Sequence, residues 1–317
     1  MRKEFILELL KIAKRNKRVV LLTADLGYMV LEPFRDQLPK QFFNVGVMEQ
    51  NMVGVATGLA MNGYIPFLFS IATFLTLRSF EFIRNGPNAH DLPVRLIGIG
   101  SGVEYSHDGL THHSYEDIGV MRMLRNVSIV VPADSEQAKT ALEKTWDRPE
   151  PIYYRISKNP GDPVPNLRGK FAFGRVNVVL RGTDCLLLAT GTMALEAWKT
   201  AELLEKRKIS CTVAIVSTLN PAPTRQLAEL ARAHKHAVSI EAHYPTGGIG
   251  TLLAEAIAQN GIPCKLIQLG LNYTPKQKLG DMQYFYRKHG LTPEQIAETV
   301  ELAANQSKIT SFARRFF

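Results

Sequence analysis

Short apolar runs separated by longer amphipathic stretches constrain this chain most. Val19 to Thr23, Ile65 to Ser70, Val94 to Ile99 and Val127 to Val131 read as buried strands, and the segments between them carry the three-to-four-residue apolar spacing of helices. Parallel strands need crossovers of a dozen or more residues, so this rhythm predicts an α/β fold with a parallel sheet covered by helices. The rhythm returns at Cys185 to Thr190, Cys211 to Val216, Ala237 to Glu241 and Lys265 to Leu269. Between the two blocks, Pro160, Gly161, Pro163, Pro165 and Gly169 interrupt any periodicity. Two α/β domains are therefore expected, over residues 1–156 and 176–317, joined by a linker at 157–175. A chain of 317 residues has room for two cores. Asp134 and Gln137, just after Val131-Pro132, predict a capping box for a helix running through Trp146. A last helix is expected from about Thr292 to Ala304, with capping chemistry at its start.

Composition narrows the function classes. Hydrophobic residues at 45% and charged residues at 21% suit a folded globular protein. No apolar run reaches the roughly 18 residues of a membrane span, and Met1-Arg2-Lys3-Glu4 does not open a secretory signal, so a cytoplasmic protein without a membrane partner is expected. The net charge of +9 raises the question of anionic partners. Its basic residues are scattered, and the one dense cluster, Lys11, Lys14, Arg15, Lys17 and Arg18, ends a helix where positive charge complements the dipole; no nucleic-acid partner is expected. Cys185, Cys211 and Cys264 are odd in number and far apart, which reads as buried free thiols rather than disulfides or a metal site.

The chemistry-bearing stretches are few. From Asn44 to Ala60, Glu49 opens a helix in which Gly54 and Gly58, four apart, share one face and invite close approach of another backbone. Read alone, Glu49 is a first-turn acid favoured by the helix dipole. In Ala72 to Phe80, positions 74, 77 and 80 (Phe74, Leu77, Phe80) fall on one side of a helix and read alone as a core stripe. Ser106 to Asp117 holds His107, His112 and His113, but zinc would need further well-spaced ligands and none is recognisable. Thr23-Ala24-Asp25-Leu26 ends the first strand, and Ile156-Ser157-Lys158-Asn159 opens the linker.

Together these stretches resemble the transketolase family, as the half that carries the pyrimidine-binding and C-terminal domains. The resemblance implies thiamine diphosphate as cofactor. Glu49 would share a proton with N1′ of its aminopyrimidine in a partly desolvated site, and would so act in catalysis. Asp25, Phe74, Leu77 and Phe80 would line the cofactor pocket, with Leu77 in place of the usual aromatic. The Asp108-Gly109-Leu110-Thr111-His112 loop resembles the family's Asp-Gly-x-Thr-His segment. Asp108 would bind a substrate hydroxyl, and His112 would hydrogen-bond oxygens whose charge changes during carbon-carbon cleavage. Surface or supporting places are implied for His107 and His113. Lys158 stands where an arginine grips the substrate phosphate, and supplies charge without the bidentate fork. Met29 replaces a phosphate-binding serine, and the histidine expected near Gly100 is absent, which leaves an unusual or differently anchored sugar or sugar phosphate as substrate.

Neither Gly161-Asp162-Pro163 nor Gly280-Asp281-Met282 fits the Gly-Asp-Gly motif that, in the family, goes with Mg2+ and the cofactor diphosphate. The resemblance therefore implies that no metal ligand lies on this chain. It implies a separate N-terminal subunit with the diphosphate-binding domain and Mg2+, in an α2β2 assembly. Gly247, Gly248 and Gly250 lack the Gly-x-Gly-x-x-Gly order and read as turns and helix packing. The rival expectations are the beta subunit of a 2-oxo-acid dehydrogenase, a 1-deoxyxylulose-5-phosphate synthase-like half, and a non-catalytic regulatory or scaffold subunit.

Overall fold

The computed structural model describes residues 1–303 and arranges them around two mainly parallel sheets. The first contains β1 (Val19–Thr23), β2 (Phe42–Asn44), β3 (Ile65–Ile71), β4 (Arg95–Ile99), β5 (Ser128–Val130) and β6 (Ile152–Ile156), ordered β5-β6-β4-β3-β1-β2 and parallel throughout. The second contains β7 (Val176–Leu180), β8 (Cys185–Ala189), β9 (Cys211–Val216), β11 (His236–Ile240) and β12 (Lys265–Leu269), ordered β12-β11-β8-β9-β7 with only β7 antiparallel. Between β9 and β11 the chain crosses back: β10 (Thr218–Asn220) pairs antiparallel with β5 at the edge of the first sheet. The expected α/β class holds. The apolar runs mark β1, β3, β4, β5, β8, β9, β11 and β12 and pass over β2, β6, β7 and β10.

Strand periodicity explains the layers. Val20 and Leu22 of β1 join Met52, Val53 and Ala56 of the Glu49–Met61 helix on one face of the first sheet. Val19 and Leu21 point the other way, toward Phe5, Leu9 and Ala13 of the Arg2–Arg15 helix and Ala138 and Ala141 of the Ser135–Thr145 helix. Both faces are covered, so every residue of β1, β3, β4 and β6 is buried.

The linker composition predicts a separate core in each half, and here the structure differs. One apolar cluster runs from Leu68, Leu96 and Tyr153 through Ile129 and Val131 to Leu186, Leu188, Ala214 and Val216 of the second sheet. The segment 157–175 forms no helix or strand, yet the halves pack directly.

Asp134 caps as expected, accepting from the Gln137 amide at 2.8 Å. The Gln137 side chain accepts from Ala133 N–H, one residue earlier than the box pattern anticipates, and Trp146 is the C-cap of a helix ending at Thr145. Residues 293–303 are helical, with Thr292 at the start, while Ala304 lies outside the described residues. Inside β4, the fully buried Arg95 donates to the carbonyls of Trp146, Arg148 and Glu150, satisfying the turn after the Ser135–Thr145 helix. All three cysteines are free and buried. Among the described residues, no helix is long and apolar enough to cross a membrane.

Candidate active site

In an open parallel sheet, ligand crevices form beyond the carboxyl ends of the strands. The residues singled out above gather at that edge of the first sheet. Asp25 follows β1, Glu49 follows β2, Phe74 to Phe80 follow β3, Asp108 and His112 follow β4, and Lys158 follows β6.

Glu49 opens the Glu49–Met61 helix and is wholly buried. Its Oε1 accepts from the Ser70 hydroxyl of β3 at 3.0 Å, and its Oε2 pairs with Arg78 Nη1 at 2.6 Å. The Arg78 side chain is 41% exposed and lies over the Phe74 ring, 4.5 Å from its centroid. Each carboxylate oxygen thus holds one hydrogen bond and keeps further acceptor capacity. Sequence alone does not single out Ser70 or Arg78. Ser70 is a hydroxyl within an apolar strand, and Arg78 stands four residues after an aromatic, which are the signals that could have found them.

Phe74–Arg78 does not form the regular helix face that the spacing predicts. It winds as a wide π-helical turn, and α-helix resumes only at Phe80–Ile83. With more residues per turn, positions 74 and 77 diverge: Phe74 is half-buried, while Leu77 stands 39% exposed. Phe80 is half-buried and packs on the apolar cluster beneath the sheet.

Phe74 leads directly to the loop after β4. Its ring meets that of His112 edge-on at 5.0 Å, and His112 lies 5.7 Å from the Tyr105 ring. His112 Nδ1 is held by the Thr111 hydroxyl at 2.9 Å. Asp108 ends a short 3-10 turn, Ser106–Asp108, with its side chain exposed. His107 is exposed; His113 is buried and links the Tyr115 hydroxyl to the Ser106 carbonyl, which fixes the loop from behind. The Lys158 ammonium lies 4.4 Å from the Tyr105 ring centroid. Glu49, Arg78, Phe74, His112, Tyr105 and Lys158 therefore form one row. Asp25 is outside it: exposed, at φ 56°, and paired with Asn44 of the neighbouring strand. Among the described residues, no cluster of three or more His, Cys, Asp or Glu could hold a metal ion. Asp281, in the second Gly-Asp-x segment, caps the Met282–Lys288 helix by accepting from the Tyr284 amide.

A buried polar joint ties this site to the second sheet. Arg155 of β6 donates two bonds to Asp117, at 2.7 and 3.0 Å, and others to the carbonyls of Ser114 and Ala242. Burial works against the charge of both, and their mutual attraction outweighs it, holding Asp117 below and Arg155 above their ordinary ranges. His243 donates from Nδ1 to the Tyr244 carbonyl and accepts at Nε2 from Gly119 N–H, a neutral ring; burial pushes its pKa down to about 4. Glu241 accepts from the amides of Ile249 and Gly250 at the start of the Ile249–Gln259 helix, yet burial prevails and lifts its pKa to about 8. Its 3.9 Å approach to His243 is thus a contact of two neutral groups. Gly248 makes the room, since a Cβ there would lie 1.7 Å from the Glu241 carboxyl.

These groups give stability a definite pH response. A carboxyl raised from 4.5 contributes stability that is complete below 4.5 and lost as pH climbs through about 8. His243 contributes stability present above 6.5 and lost as pH falls through about 4. The melting temperature of the wild type relative to Glu241→Gln is expected to fall from about pH 5 to about pH 8 and then level off. A difference that grows with pH would mean that Glu241 is ionised in the fold.

Two family matches and several relatives cover the chain. Residues 1–161 match the transketolase pyrimidine-binding domain and residues 174–296 the transketolase C-terminal domain. The chain is 30% identical over 302 residues to an apulose-4-phosphate transketolase subunit of Phocaeicola vulgatus, spanning 94% of this chain and 95% of that protein. It is 31% identical over 289 residues to a 6-deoxy-6-sulfo-D-fructose transketolase subunit of a Clostridium species, spanning 91% and 89%. A solved split-gene transketolase, an inactive β4 tetramer, superposes with a TM-score of 0.86 at 31% identity, covering 96% of this chain and 97% of that one. On these grounds the chain belongs to the transketolase family, with the family's pyrimidine-binding domain followed by its C-terminal domain.

Proposed function

We propose that this chain is one subunit of a thiamine-diphosphate-dependent transketolase that moves a two-carbon ketol unit from a ketose to an aldose. It acts only with a separate subunit that carries the diphosphate-binding domain and the Mg2+ ligands, in an α2β2 assembly. Residues 1–156 form the pyrimidine-binding unit and 176–317 the C-terminal unit. The observation that carries the reading is Glu49, a carboxylate buried at a helix start, joined through Arg78 to the Phe74 ring and still able to accept further hydrogen bonds.

The side chains present fit an aminopyrimidine: a buried acceptor, an aromatic wall at Phe74 and uncovered apolar surface at Leu77. When bound, thiamine diphosphate would supply the nucleophilic carbon that takes up the two-carbon unit as the ketose's own carbon-carbon bond breaks. Glu49 holds a proton at the pyrimidine N1′. Phe74, Leu77 and Phe80 wall the ring and exclude water, which strengthens that hydrogen bond. Asp25 completes the cofactor pocket where the subunits meet. His112, steadied by Thr111 and by the rings on either side, offers Nε2 to the substrate oxygen that gains and loses charge. Asp108 accepts from a sugar hydroxyl, and Lys158 faces an anionic substrate end.

Partner docking is supported by what the chain leaves uncovered. The loops after the adjacent strands β1 and β2 expose Tyr28 at 85%, Met29 at 79%, Val47 at 69% and Met48 at 57%. A Cβ at Gly54 or Gly58 would meet nothing within 4 Å. The related split-gene chain is inactive as a β4 tetramer, as expected of a half lacking its partner. Gly58→Leu is predicted to leave the isolated chain as stable or about 0.5–1 kcal/mol more stable, because glycine is a poor helix former, while blocking assembly. Size-exclusion chromatography beside thermal melting checks both, and normal assembly would remove this face from the interface.

The deciding experiment combines the chain with a Gly-Asp-Gly-bearing partner, thiamine diphosphate, Mg2+, a ketose donor and an aldose acceptor. The expected product is a sugar two carbons longer than the acceptor. Carbon dioxide released from a 2-oxo acid would transfer the assignment to the dehydrogenase beta subunits. A complex with no turnover that binds its partner normally would leave a scaffold role.

A further inference from the structure

The row of side chains leading away from Glu49 ends where Tyr105 and Lys158 meet, at the exits of β4 and β6. Gly100, at φ 91°, continues β4, and a Cβ there would lie 2.2 Å from the Tyr105 ring. The ring therefore occupies space that only glycine leaves open, near the place where the family resemblance expects a histidine. One residue before it, the buried Glu104 points inward. It accepts from Ser101 N–H at 3.1 Å, the Ser157 hydroxyl at 2.6 Å and Lys158 N–H at 2.7 Å. One carboxyl thus fixes the exits of β4 and β6 together, setting Tyr105 and Lys158 in a constant relation. Among the described residues, the Tyr105 hydroxyl makes no hydrogen bond.

Resting on the transketolase reading, we propose that Tyr105 determines substrate specificity: its hydroxyl donates a hydrogen bond to the anionic terminal group of the sugar, which Lys158 attracts by charge. The ligand class is a sugar ending in a tetrahedral oxyanion, phosphate or sulfonate. Burial pushes the Tyr105 pKa up to about 12 against the pull of Arg2, so the hydroxyl keeps the proton it donates. Arg2 adds positive potential at this end of the site, while Glu104 and Asp108 act in the opposite sense on the same ring, so Lys158 is the cation that meets the anion. Because Gly100 and Glu104 hold the ring in place, the donor is ordered before the sugar arrives.

The reconstituted complex is assayed with D-glyceraldehyde 3-phosphate and with D-glyceraldehyde as acceptors. Tyr105→Phe is expected to lower the preference for the phosphorylated acceptor by about tenfold, chiefly through KM, since a hydrogen bond to a charged group contributes on that scale. Lys158→Met should lower it similarly, and Gly100→Ala should reproduce the loss by displacing the ring. A preference within twofold of the wild type in Tyr105→Phe would overturn the assignment. Loss of turnover in the wild type with both acceptors would instead sink the transketolase reading. In that event, titration of the complex with inorganic phosphate and with sulfate, followed by NMR of the Gly100 to His112 amides, tests the site by itself: saturable shifts absent from Tyr105→Phe support it, and no shifts reject it.

Discussion

Exchange of Glu49 for glutamine is expected to reduce turnover of the assembled enzyme by roughly a hundredfold to ten-thousandfold, the range associated with losing a positioned acid-base group. The amide keeps the shape of the side chain and one carbonyl to accept from Ser70 or Arg78. It cannot give and take a proton. The substitution also frees Arg78, whose side chain is already 41% exposed and can turn to water, so the fold should survive. Steady-state rates beside circular dichroism separate the two effects. A folded Glu49→Gln complex with a rate within threefold of the wild type would end the catalytic assignment of this carboxylate.

The largest stability effect is expected at Arg155. Arg155→Met leaves Asp117 buried with only the Tyr153 hydroxyl as a strong donor and strips the Ser114 and Ala242 carbonyls of a partner. Breaking a buried ion pair from one side costs about 3–5 kcal/mol, because the remaining charge has lost both water and its counter-ion. Urea unfolding should report a loss of that size. Asp117→Leu combined with Arg155→Met should recover part of it, because no lone buried charge remains. A loss under about 1 kcal/mol for Arg155→Met would show that the site rehydrates and that this pair does not join the halves.

The architecture was legible wherever strands are apolar throughout. Central strands buried on both faces must be so, and β1, β3, β4, β8, β9 and β11 announce themselves in that way. β6 does not, because Tyr153, Tyr154 and Arg155 interrupt its apolar run; their polar atoms are satisfied by Asp117, Thr145 and backbone carbonyls far away in sequence. The edge strands β2 and β10, three residues each, carry too little pattern to read. Glu49, Asp108 and His112 stood out because a short motif surrounds each. Ser70, Arg78 and Tyr105 did not, since what distinguishes them is the neighbour that folding brings. The π-turn at Phe74–Arg78 was hidden for a related reason: residue spacing assumes the ordinary helical repeat.

The return of β10 to the edge of the first sheet bears on how such a chain can be divided. Severed after the linker, the N-terminal piece would present β5 with unpaired amides and carbonyls, and Ile129 and Val131 would lose the apolar surface of the second sheet. Either half expressed without the other is thus expected to self-associate, so the pair is the smallest piece that should stay dispersed by itself.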